Sequence, residues 1–242
     1  MRKRESYIAR DIVTEWNRKQ RYIEKLERKK TSMERYKCTV IIPVYNQREL
    51  VLKAIDSIPK RKDIEIIVID DGSDDGTWDN LIQYRNEHED MWNLILLYNE
   101  ENKGVAYTVN KGFDNAKGKY VVLLGSDDYF YTDKFEKCIE KLDGIYDMVY
   151  FDLERNDGSI LHADKETTRN QIVGSVKFIK REFIGNIRCP VGKQFGEDAD
   201  MHFKLLAKNP KELFTGIVAK HYNYPRINSL CWQEAERIKN GG

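Results

Sequence analysis

Residues 66–77 read IIVIDDGSDDGT, a run of branched apolar side chains that ends in acids, glycine and serine. A continuous Val/Ile run predicts a strand that is buried on both faces of its sheet. Comparable runs recur at intervals of roughly 25 to 30 residues, and the stretches between them have helical character. The apolar runs are 39–44, 64–69, 94–98 and 120–124, and the helical stretches are 47–58, 76–90 and 103–116. This rhythm predicts repeated βαβ units and hence a doubly wound, mostly parallel α/β sheet.

Polar side chains follow each of these predicted strands. They are Tyr45 and Asn46, Asp70 to Ser73, Asn99 with Asn102 to Gly104, and Gly125 to Asp128. Ligands of open parallel sheets bind beyond the carboxyl ends of the strands, so we expect the ligand site at this edge of the sheet.

The second half of the chain is less regular. Residues 156–159 read NDGS, a turn signal between two apolar stretches, which predicts a hairpin from 148–153 and 160–162. The other elements that we expect are helices over 175–183 and 197–207, a loop over 189–196 and a strand over 214–221.

The composition is that of a globular protein with one main domain. The 242 residues include 41 Lys and Arg against 40 Asp and Glu, and the mean hydropathy is −0.68. No apolar run approaches the roughly 18 residues of a membrane span, and no signal-peptide core follows the basic start, which predicts a cytoplasmic protein. The four cysteines form no CxxC pair, which argues against a zinc site or a disulfide framework.

The first 36 residues differ from the rest in charge. They carry twelve Lys and Arg and six Asp and Glu, a net +6, whereas the other 206 residues carry 29 and 34, a net −5. The apolar residues that recur there at helical spacing are Ile8, Ile12, Trp16, Ile23 and Leu26. We therefore expect a basic amphipathic helix within 1–36, and packing on the main domain, self-association, acceptor docking and contact with a membrane surface are its alternative roles.

Three acidic pairs stand at the ends of predicted elements: Asp70-Asp71, Asp127-Asp128 and Glu197-Asp198. Adjacent acids repel each other unless they are solvated, capped by backbone donors or neutralised, and a divalent cation with phosphate oxygens is a suitable neutraliser. Each pair also has a purely structural explanation, as turn residues, helix caps or acids at a helix N-terminus. His221 likewise fits either a metal ligand or an ordinary hydrogen-bonded histidine.

Taken in order, four segments make the chain resemble the family-2 glycosyltransferases of the GT-A fold. They are VIIPVYN (40–46), IIVIDDGSDDGT (66–77), NKGVAYTVNKGFDNAKGKYVVLLGSDD (102–128) and GEDADMHFKL (196–205). The resemblance covers about 38–232 and leaves 1–36 outside it. It implies a transferase domain over 37–242, with a nucleotide-binding half at 37–128 and an acceptor-binding half at 129–242.

The resemblance implies an inverting transfer of a sugar from a nucleotide sugar, a UDP-sugar by analogy, to the hydroxyl of a carbohydrate or another acceptor. The residues that it places against the nucleotide sugar are Pro43, Tyr45, Asp70, Asp71, Asn102, Gly104, Ser126, Asp127, Arg226 and Ser229. It makes Asp198 the general base, with Glu197 as a supporting neighbour. It makes Asp127 the ligand of Mn²⁺ or Mg²⁺, and we add Asp128 and His221 as further candidate ligands.

The chain departs from the family pattern at two places near these residues. Gly125 stands where the family has the first acid of Asp-x-Asp, which puts the metal affinity in question, and Lys111 stands where Arg is commoner. Asn110 and Gly118 match the segment that shapes the donor site. The alternatives are a noncatalytic nucleotide-sugar-binding or scaffold protein and a sugar-phosphate nucleotidyltransferase. A nucleotidyltransferase requires a Gly/Arg-rich loop after the first strand, and the sequence has none there.

Overall fold

The computed structural model describes residues 36–88, 93–170, 175–193, 196–224 and 237. The predicted N-terminal helix, and with it the proposed extension 1–36 apart from Tyr36, lies outside the described residues. So do the candidate site residues Arg226 and Ser229. Within the described ranges, no helix is long and apolar enough to cross a membrane.

The described strands join into one mixed sheet, and helices connect them along the chain. The strands are β1 (Cys38–Val44), β2 (Ile64–Asp70), β3 (Asn93–Tyr98), β4 (Tyr120–Leu123), β5 (Tyr129–Phe130), β6 (Met148–Arg155), β7 (Ile160–Leu161), β8 (Lys177–Lys180) and β9 (Glu212–Tyr222). The helices are α1 (Leu50–Asp56), α2 (Thr77–Glu87), α3 (Val105–Asn115), α4 (Thr132–Glu140), α5 (Thr167–Asn170), α6 (Arg181–Ile184) and α7 (Glu197–Leu206). The strand order is β3-β2-β1-β4-β8-β6-β9-β5, with β7 paired to β6.

The first four strands form the predicted parallel sheet. β1 pairs in parallel with β2 and β4, and β2 pairs in parallel with β3. All seven residues of β2 are buried, as expected for a continuous apolar run with helices over both faces. The order places a change of winding direction between β1 and β4, and the carboxyl ends of these two strands flank it.

Two glycines allow the chain to pack closely at the sheet. A Cβ on Gly112 of α3 would lie 2.4 Å from Ile41 Cγ2, so the helix rests against β1 where only hydrogen fits. A Cβ on Gly118 would lie 2.4 Å from the backbone nitrogen of Thr39 at the start of β1. Gly118 therefore serves the packing of the turn before β4, at the end of the strands away from their carboxyl edge.

The second half contains the predicted hairpin, in which β6 pairs antiparallel with β7. The prediction of a helix over 175–183 is wrong for most of its length. Residues Lys177–Lys180 form β8, antiparallel to both β4 and β6, and only Arg181–Ile184 is helical. Lys177, Phe178 and Ile179 are buried between two neighbouring strands, and this pairing decides the conformation of a segment whose branched and aromatic residues suit a sheet.

Candidate active site

A cleft of about 720 Å³ opens at the carboxyl edge of the sheet, beside the change of direction between β1 and β4. It is lined by residues of both predicted halves of the main domain. The predicted site residues in its wall are Pro43, Tyr45, Asp71, Asn102, Gly104, Ser126, Asp127, Asp128, Glu197 and Asp198. Segments that are far apart in sequence thus meet around one cavity.

Asp71 organises the loop that enters α3. Its Oδ1 accepts hydrogen bonds from Asn99 Nδ2 at 2.8 Å and from the backbone N–H of Lys103 at 2.9 Å. Its Oδ2 accepts from the backbone N–H of Gly104 at 2.9 Å. Gly104, with φ of 85°, and Val105, the first residue of α3, both line the cleft. The carboxylate therefore fixes a helix N-terminus, which carries a partial positive charge, at the edge of the cleft.

Asp70 and Asn46 shape the two turns that follow β2 and β1. Asp70 accepts hydrogen bonds from the backbone N–H and the hydroxyl of Ser73, and burial raises the pKa of its carboxyl group. Asn46 has a φ of 51° and exchanges two hydrogen bonds with Asp74, at 2.9 and 3.0 Å. Asn46 lines the cleft, whereas Asp70, which we predicted to bind the nucleotide, is not among its lining residues.

Asp127 and Asp128 follow β4 in different environments. Asp127 is partly exposed and lines the cleft, whereas Asp128 is only 4% exposed. Asp128 Oδ2 lies 2.7 Å from Lys220 Nζ, and its Oδ1 accepts from the backbone N–H of Asn223 at 2.9 Å. The N-cap residue of α4 is Tyr131, and no side chain caps this helix, so Asp128 is not a helix cap. Asp128 is held instead by Lys220 of β9 and by Asn223, the residue that follows β9.

The candidate metal ligand His221 faces an aromatic side chain. Its ring stacks on Tyr129 with the centroids 4.5 Å apart and an interplanar angle of 6°. Its Nδ1 is buried and makes no hydrogen bond to the described residues. His221 is not among the residues that line the cleft, although the next residue, Tyr222, is.

No group of three or more His, Cys, Asp and Glu side chains is placed to hold a metal ion in the part of the chain that the structure describes. Asp127 nevertheless offers a hard carboxylate oxygen in the cleft. Mg²⁺ is commonly held by one or two carboxylates together with substrate phosphates and water. The residues present therefore fit a divalent ion that takes most of its ligands from a bound diphosphate.

Glu197 and Asp198 form the start of α7, whose N-cap is Gly196 at a φ of 78°. Asp198 Oδ1 lies 2.9 Å from the backbone N–H of Ala199 and accepts from it. Burial raises the pKa of Glu197, and the charges of Asp198 and Asp200 shift it in the same direction. Two carboxyl groups from one helical turn therefore line the same cleft as the loops after β1 and β2.

Two lysines beside the site are buried, and sequence reasoning missed both. Lys177 in β8 is 3% exposed, and burial lowers its pKa to about 8 although the charge of Asp198 opposes this shift. Lys220 in β9 is fully buried. Each stands within an apolar strand sequence, in VKFIK (176–180) and IVAKHY (217–222), and a lysine in such a run is the signal that indicates a buried, partnered cation.

Asn110 and Lys111 connect α3 to its surroundings. Asn110 Nδ2 donates to the backbone oxygen of Cys189 at 2.8 Å, and its Oδ1 accepts from the backbone N–H of Cys189 at 2.9 Å. Lys111 Nζ donates to Tyr98 O at 2.6 Å and to Asn99 Oδ1 at 2.9 Å. Cleft residues that were not predicted include Gln47, Thr108, Ser175, Cys189, Tyr222 and Asn223.

A largely parallel sheet with an acidic cleft at its carboxyl edge defines an α/β protein of the GT-A type. Residues 39–201 match the family model described as glycosyl transferase family 2, and the chain belongs to this family. The resemblance noted from the sequence is therefore confirmed.

Curated relatives agree with this family. The chain is 34% identical over 167 residues to TuaG of Bacillus subtilis, which is named as a teichuronic acid biosynthesis glycosyltransferase; the match covers 63% of this chain and 65% of TuaG. It is 27% identical over 197 residues to WfaP of Escherichia coli, named as a UDP-Glc:alpha-D-GlcNAc-diphosphoundecaprenol beta-1,3-glucosyltransferase, with 76% of each covered. A match to GlyA of Streptococcus pneumoniae, 37% identical, covers 44% of this chain and only 15% of GlyA. The chain thus spans less than two thirds of TuaG and a small part of GlyA.

Solved structures confirm the predicted fold. S. aureus TarS in complex with UDP-GlcNAc superposes with a TM-score of 0.67 at 19% identity, covering 81% of this chain and 60% of the TarS chain. The mannosyltransferase PcManGT from Pyrobaculum calidifontis, in complex with GDP-Man and Mn²⁺, gives a TM-score of 0.66 at 21% identity, with 86% and 66% covered.

Proposed function

We propose that this protein is an inverting glycosyltransferase that moves a sugar from a nucleotide sugar, a UDP-sugar in our assignment, to an acceptor hydroxyl. The observation that carries the proposal is that Asp127 and Asp198 line one cleft at the carboxyl edge of the sheet. Membership of glycosyl transferase family 2 and the named activity of WfaP support it. The same cleft receives the loops after β1 and β2, which supply the nucleoside end of the site.

Tyr45 and Asp71 are the residues that we assign to the nucleoside. Tyr45 is 44% exposed beside Pro43 in the cleft wall, so its ring has a free surface against which a base can pack. Asp71 keeps the loop around Asn102 and Gly104 in place through its hydrogen bonds to the backbone. The N-terminal end of α3 then faces the position that we assign to the diphosphate, where its dipole favours negative charge.

Asp127 would hold Mn²⁺ or Mg²⁺ together with diphosphate oxygens. A divalent ion there supplies electrostatic stabilisation for the negative charge that grows on the departing nucleoside diphosphate. Ser126 and Gly104 line the same cleft as Asp127. We keep Asp128 and His221 as weaker candidate ligands of the ion. The two oxygens of Asp128 already contact Lys220 and the backbone N–H of Asn223, and the ring of His221 stacks on Tyr129.

Asp198 is the group that we assign to proton transfer. The acceptor oxygen forms a bond to the anomeric carbon as the bond from that carbon to the diphosphate oxygen breaks, and the electron pair leaves with the nucleoside diphosphate. The proton of the acceptor hydroxyl passes to the Asp198 carboxylate. Attack on the face opposite the leaving group inverts the configuration at that carbon. Glu197, whose pKa burial raises, lies next to Asp198 at the start of α7.

The acceptor is a carbohydrate or another hydroxyl compound in this proposal. TuaG and WfaP are named for glycan products and a lipid-linked sugar acceptor, and we infer a related class of acceptor here. The part of the cleft wall that would meet the acceptor comes from residues after 129, including Ser175, Cys189 and Tyr222. Self-association or membrane-surface contact through 1–36 remains a proposal that truncation of this segment would test.

The experiment that tests the function is a donor screen with the full chain. UDP-glucose, UDP-GlcNAc and GDP-mannose are each incubated with MnCl₂ or with EDTA, and release of the nucleoside diphosphate is measured. We expect Mn²⁺-dependent release from a UDP-sugar, and loss of release in Asp198→Asn. Release of pyrophosphate from a nucleoside triphosphate and sugar phosphate would identify a nucleotidyltransferase instead. Nucleotide binding without turnover of any donor would favour a noncatalytic binding protein.

A further inference from the structure

Lys220 is a fully buried cation in contact with two residues of the cleft wall, Asp128 and Ser175, and the proposed reaction does not use it. It lies in β9, opposite Phe130 of β5. Its ammonium is 2.7 Å from Asp128 Oδ2 and donates to Ser175 Oγ at 2.7 Å. Burying a lysine costs free energy unless its ammonium is paired with an opposite charge and hydrogen-bonded. Asp128 and Ser175 supply these two contacts.

The ion pair joins β9 to the loop that carries Asp127. Asp128 accepts from Lys220 with one oxygen and from the backbone N–H of Asn223 with the other. The loop is closed on itself by a hydrogen bond of 3.1 Å from the backbone N–H of Asp128 to the oxygen of Gly125. Asp127 lies between these two anchored residues, and its position in the cleft therefore depends on them.

Gly125 leaves space for this arrangement. A Cβ at this position would lie 2.7 Å from Asp128 Oδ2 and 3.1 Å from Asp127 Oδ1. The carboxylate of Asp128, which Lys220 holds, thus occupies the space that a side chain at 125 would need. Gly125, which stands where the family has the first acid of Asp-x-Asp, and the buried Lys220 therefore belong to one arrangement. The loop has the Asp128–Lys220 ion pair where a family member would have a second acid.

We propose that Lys220 is a positioning residue for Asp127. Through Asp128 it fixes the loop 125–128, and through Ser175 it ties that loop to the cleft wall on the acceptor side. The effect on the ion and the nucleotide rests on the proposed function, whereas the effect on the loop does not. A residue behind a metal ligand typically contributes about 10- to 100-fold to metal affinity.

A role for Lys220 in neutralising charge and a role in positioning the loop predict opposite effects of Lys220→Met on cation binding. If Lys220 only neutralised charge, its removal would leave Asp128 unpaired, make the site more negative and tighten binding of a cation. If Lys220 positions the loop, its removal weakens that binding. The double variant Asp128→Asn with Lys220→Met keeps the net charge of the wild-type pair, and because it removes both charges together it leaves neither of them buried without its counter-charge.

The matched control is Glu212→Gln at the other end of β9. Glu212 forms a partly buried ion pair with Arg169, whose Nη1 lies 2.9 Å from Glu212 Oε1, and neither residue lines the cleft. This variant loses an ion pair on the same strand at a distance from Asp127. It therefore reports the effect of a destabilised β9 without a change in the loop.

Two measurements on the full chain decide the proposal. Amide hydrogen exchange of the peptide covering 124–130 needs no ligand, and titration calorimetry measures UDP binding with MnCl₂ and with EDTA. We expect faster exchange of this peptide, and Mn²⁺-dependent UDP binding weakened about tenfold or more, in Lys220→Met and in the double variant but not in Glu212→Gln. Wild-type exchange in Lys220→Met, wild-type binding in the double variant, or tighter binding in Lys220→Met would overturn it. If wild-type protein binds UDP equally with and without Mn²⁺, the metal part of the proposed function fails, and the exchange measurement alone decides the role of Lys220.

Discussion

Asp127 and Asp198 line the same cleft although 71 residues separate them in the chain. Asp127 comes from the loop after β4, and Asp198 comes from the first turn of α7. One acid thus belongs to the predicted nucleotide-binding half and the other to the predicted acceptor half. The two roles assigned to them make separate predictions, because one concerns the leaving group and the other the attacking hydroxyl.

Replacing Asp198 by Asn tests the proposed base. The amide cannot accept the acceptor proton, and loss of general-base help lowers a rate by about 10²- to 10⁴-fold. UDP binding should persist, because the residues assigned to the nucleoside lie in other loops. The measurement is the rate of sugar transfer beside UDP affinity by calorimetry.

The matched control is Asp200→Asn in the same helical turn. Asp200 forms a partly solvent-exposed pair with Lys193 at 2.8 Å, and ion pairs near the surface contribute little to stability. It should retain the wild-type rate. Full transfer activity in Asp198→Asn would remove Asp198 from the mechanism.

Replacing Asp127 by Asn tests the proposed ion site. Because residues behind a metal ligand already contribute about 10- to 100-fold to metal affinity, we expect a loss of at least this size when the ligand itself is neutralised. Calorimetric titration of UDP with and without MnCl₂ measures it, and Asp133→Asn, an exposed acid in α4, is the control. Equal UDP affinity in the variant and the wild type at every Mn²⁺ concentration would count against an ion at Asp127.

Replacing Asp71 by Asn tests the loop that enters α3. The carboxylate accepts from Asn99, Lys103 and Gly104, and an amide nitrogen at either oxygen position would face an N–H donor. A buried donor left without a partner costs about 1 to 3 kcal/mol, so we expect a loss of this size in the free energy of unfolding and weaker UDP binding. Urea unfolding measures the first quantity. The exposed Asp79→Asn variant should resemble the wild type, and an unchanged Asp71→Asn protein would mean that the three hydrogen bonds do not hold the loop.

The sequence was sufficient for the first half of the fold because local and global signals agree there. The apolar runs of β1, β2 and β4 are almost entirely buried, and that of β3, at the edge of the sheet, is partly buried. The polar residues after these strands meet at one edge, as their spacing predicts. The segment 175–183 was misassigned because pairing with β4 and β6, which no local pattern reveals, makes Lys177–Lys180 a strand.

The candidate site could be predicted from the sequence where its residues belong to recognisable motifs. Asp71, Asp127 and Asp198 stand at element ends and line the cleft as expected. Adjacent acids could not be told apart from sequence, however, because their roles depend on partners from distant strands. Asp70 accepts a hydrogen bond from Ser73, three residues further on, whereas its neighbour Asp71 accepts from Asn99, and Asp128 pairs with a lysine of β9 that is 92 residues further along the chain.

Lys177 predicts a specific dependence of stability on pH. Burial lowers its pKa from 10.5 to about 8 in the folded chain. Between these values the unfolded chain binds the proton more strongly, so the contribution of Lys177 to stability rises with pH across the window from about 8 to 10.5. Below pH 8 both states are protonated and the full cost of the buried charge applies, about 3 kcal/mol for a shift of this size.

Lys177→Met should therefore be more stable than the wild type near pH 7, by an amount that shrinks as the pH rises towards 10. Burial raises the pKa values of the Cys38 and Cys138 thiols to about 12 in both proteins. Their contribution to the pH dependence of stability therefore cancels when the two proteins are compared at the same pH. Urea unfolding at pH 7, 8, 9 and 10 measures the difference, and the exposed Lys134→Met gives the baseline for loss of a surface charge. A difference between Lys177→Met and the wild type that stays constant over this range would show that the Lys177 ammonium is not penalised by burial.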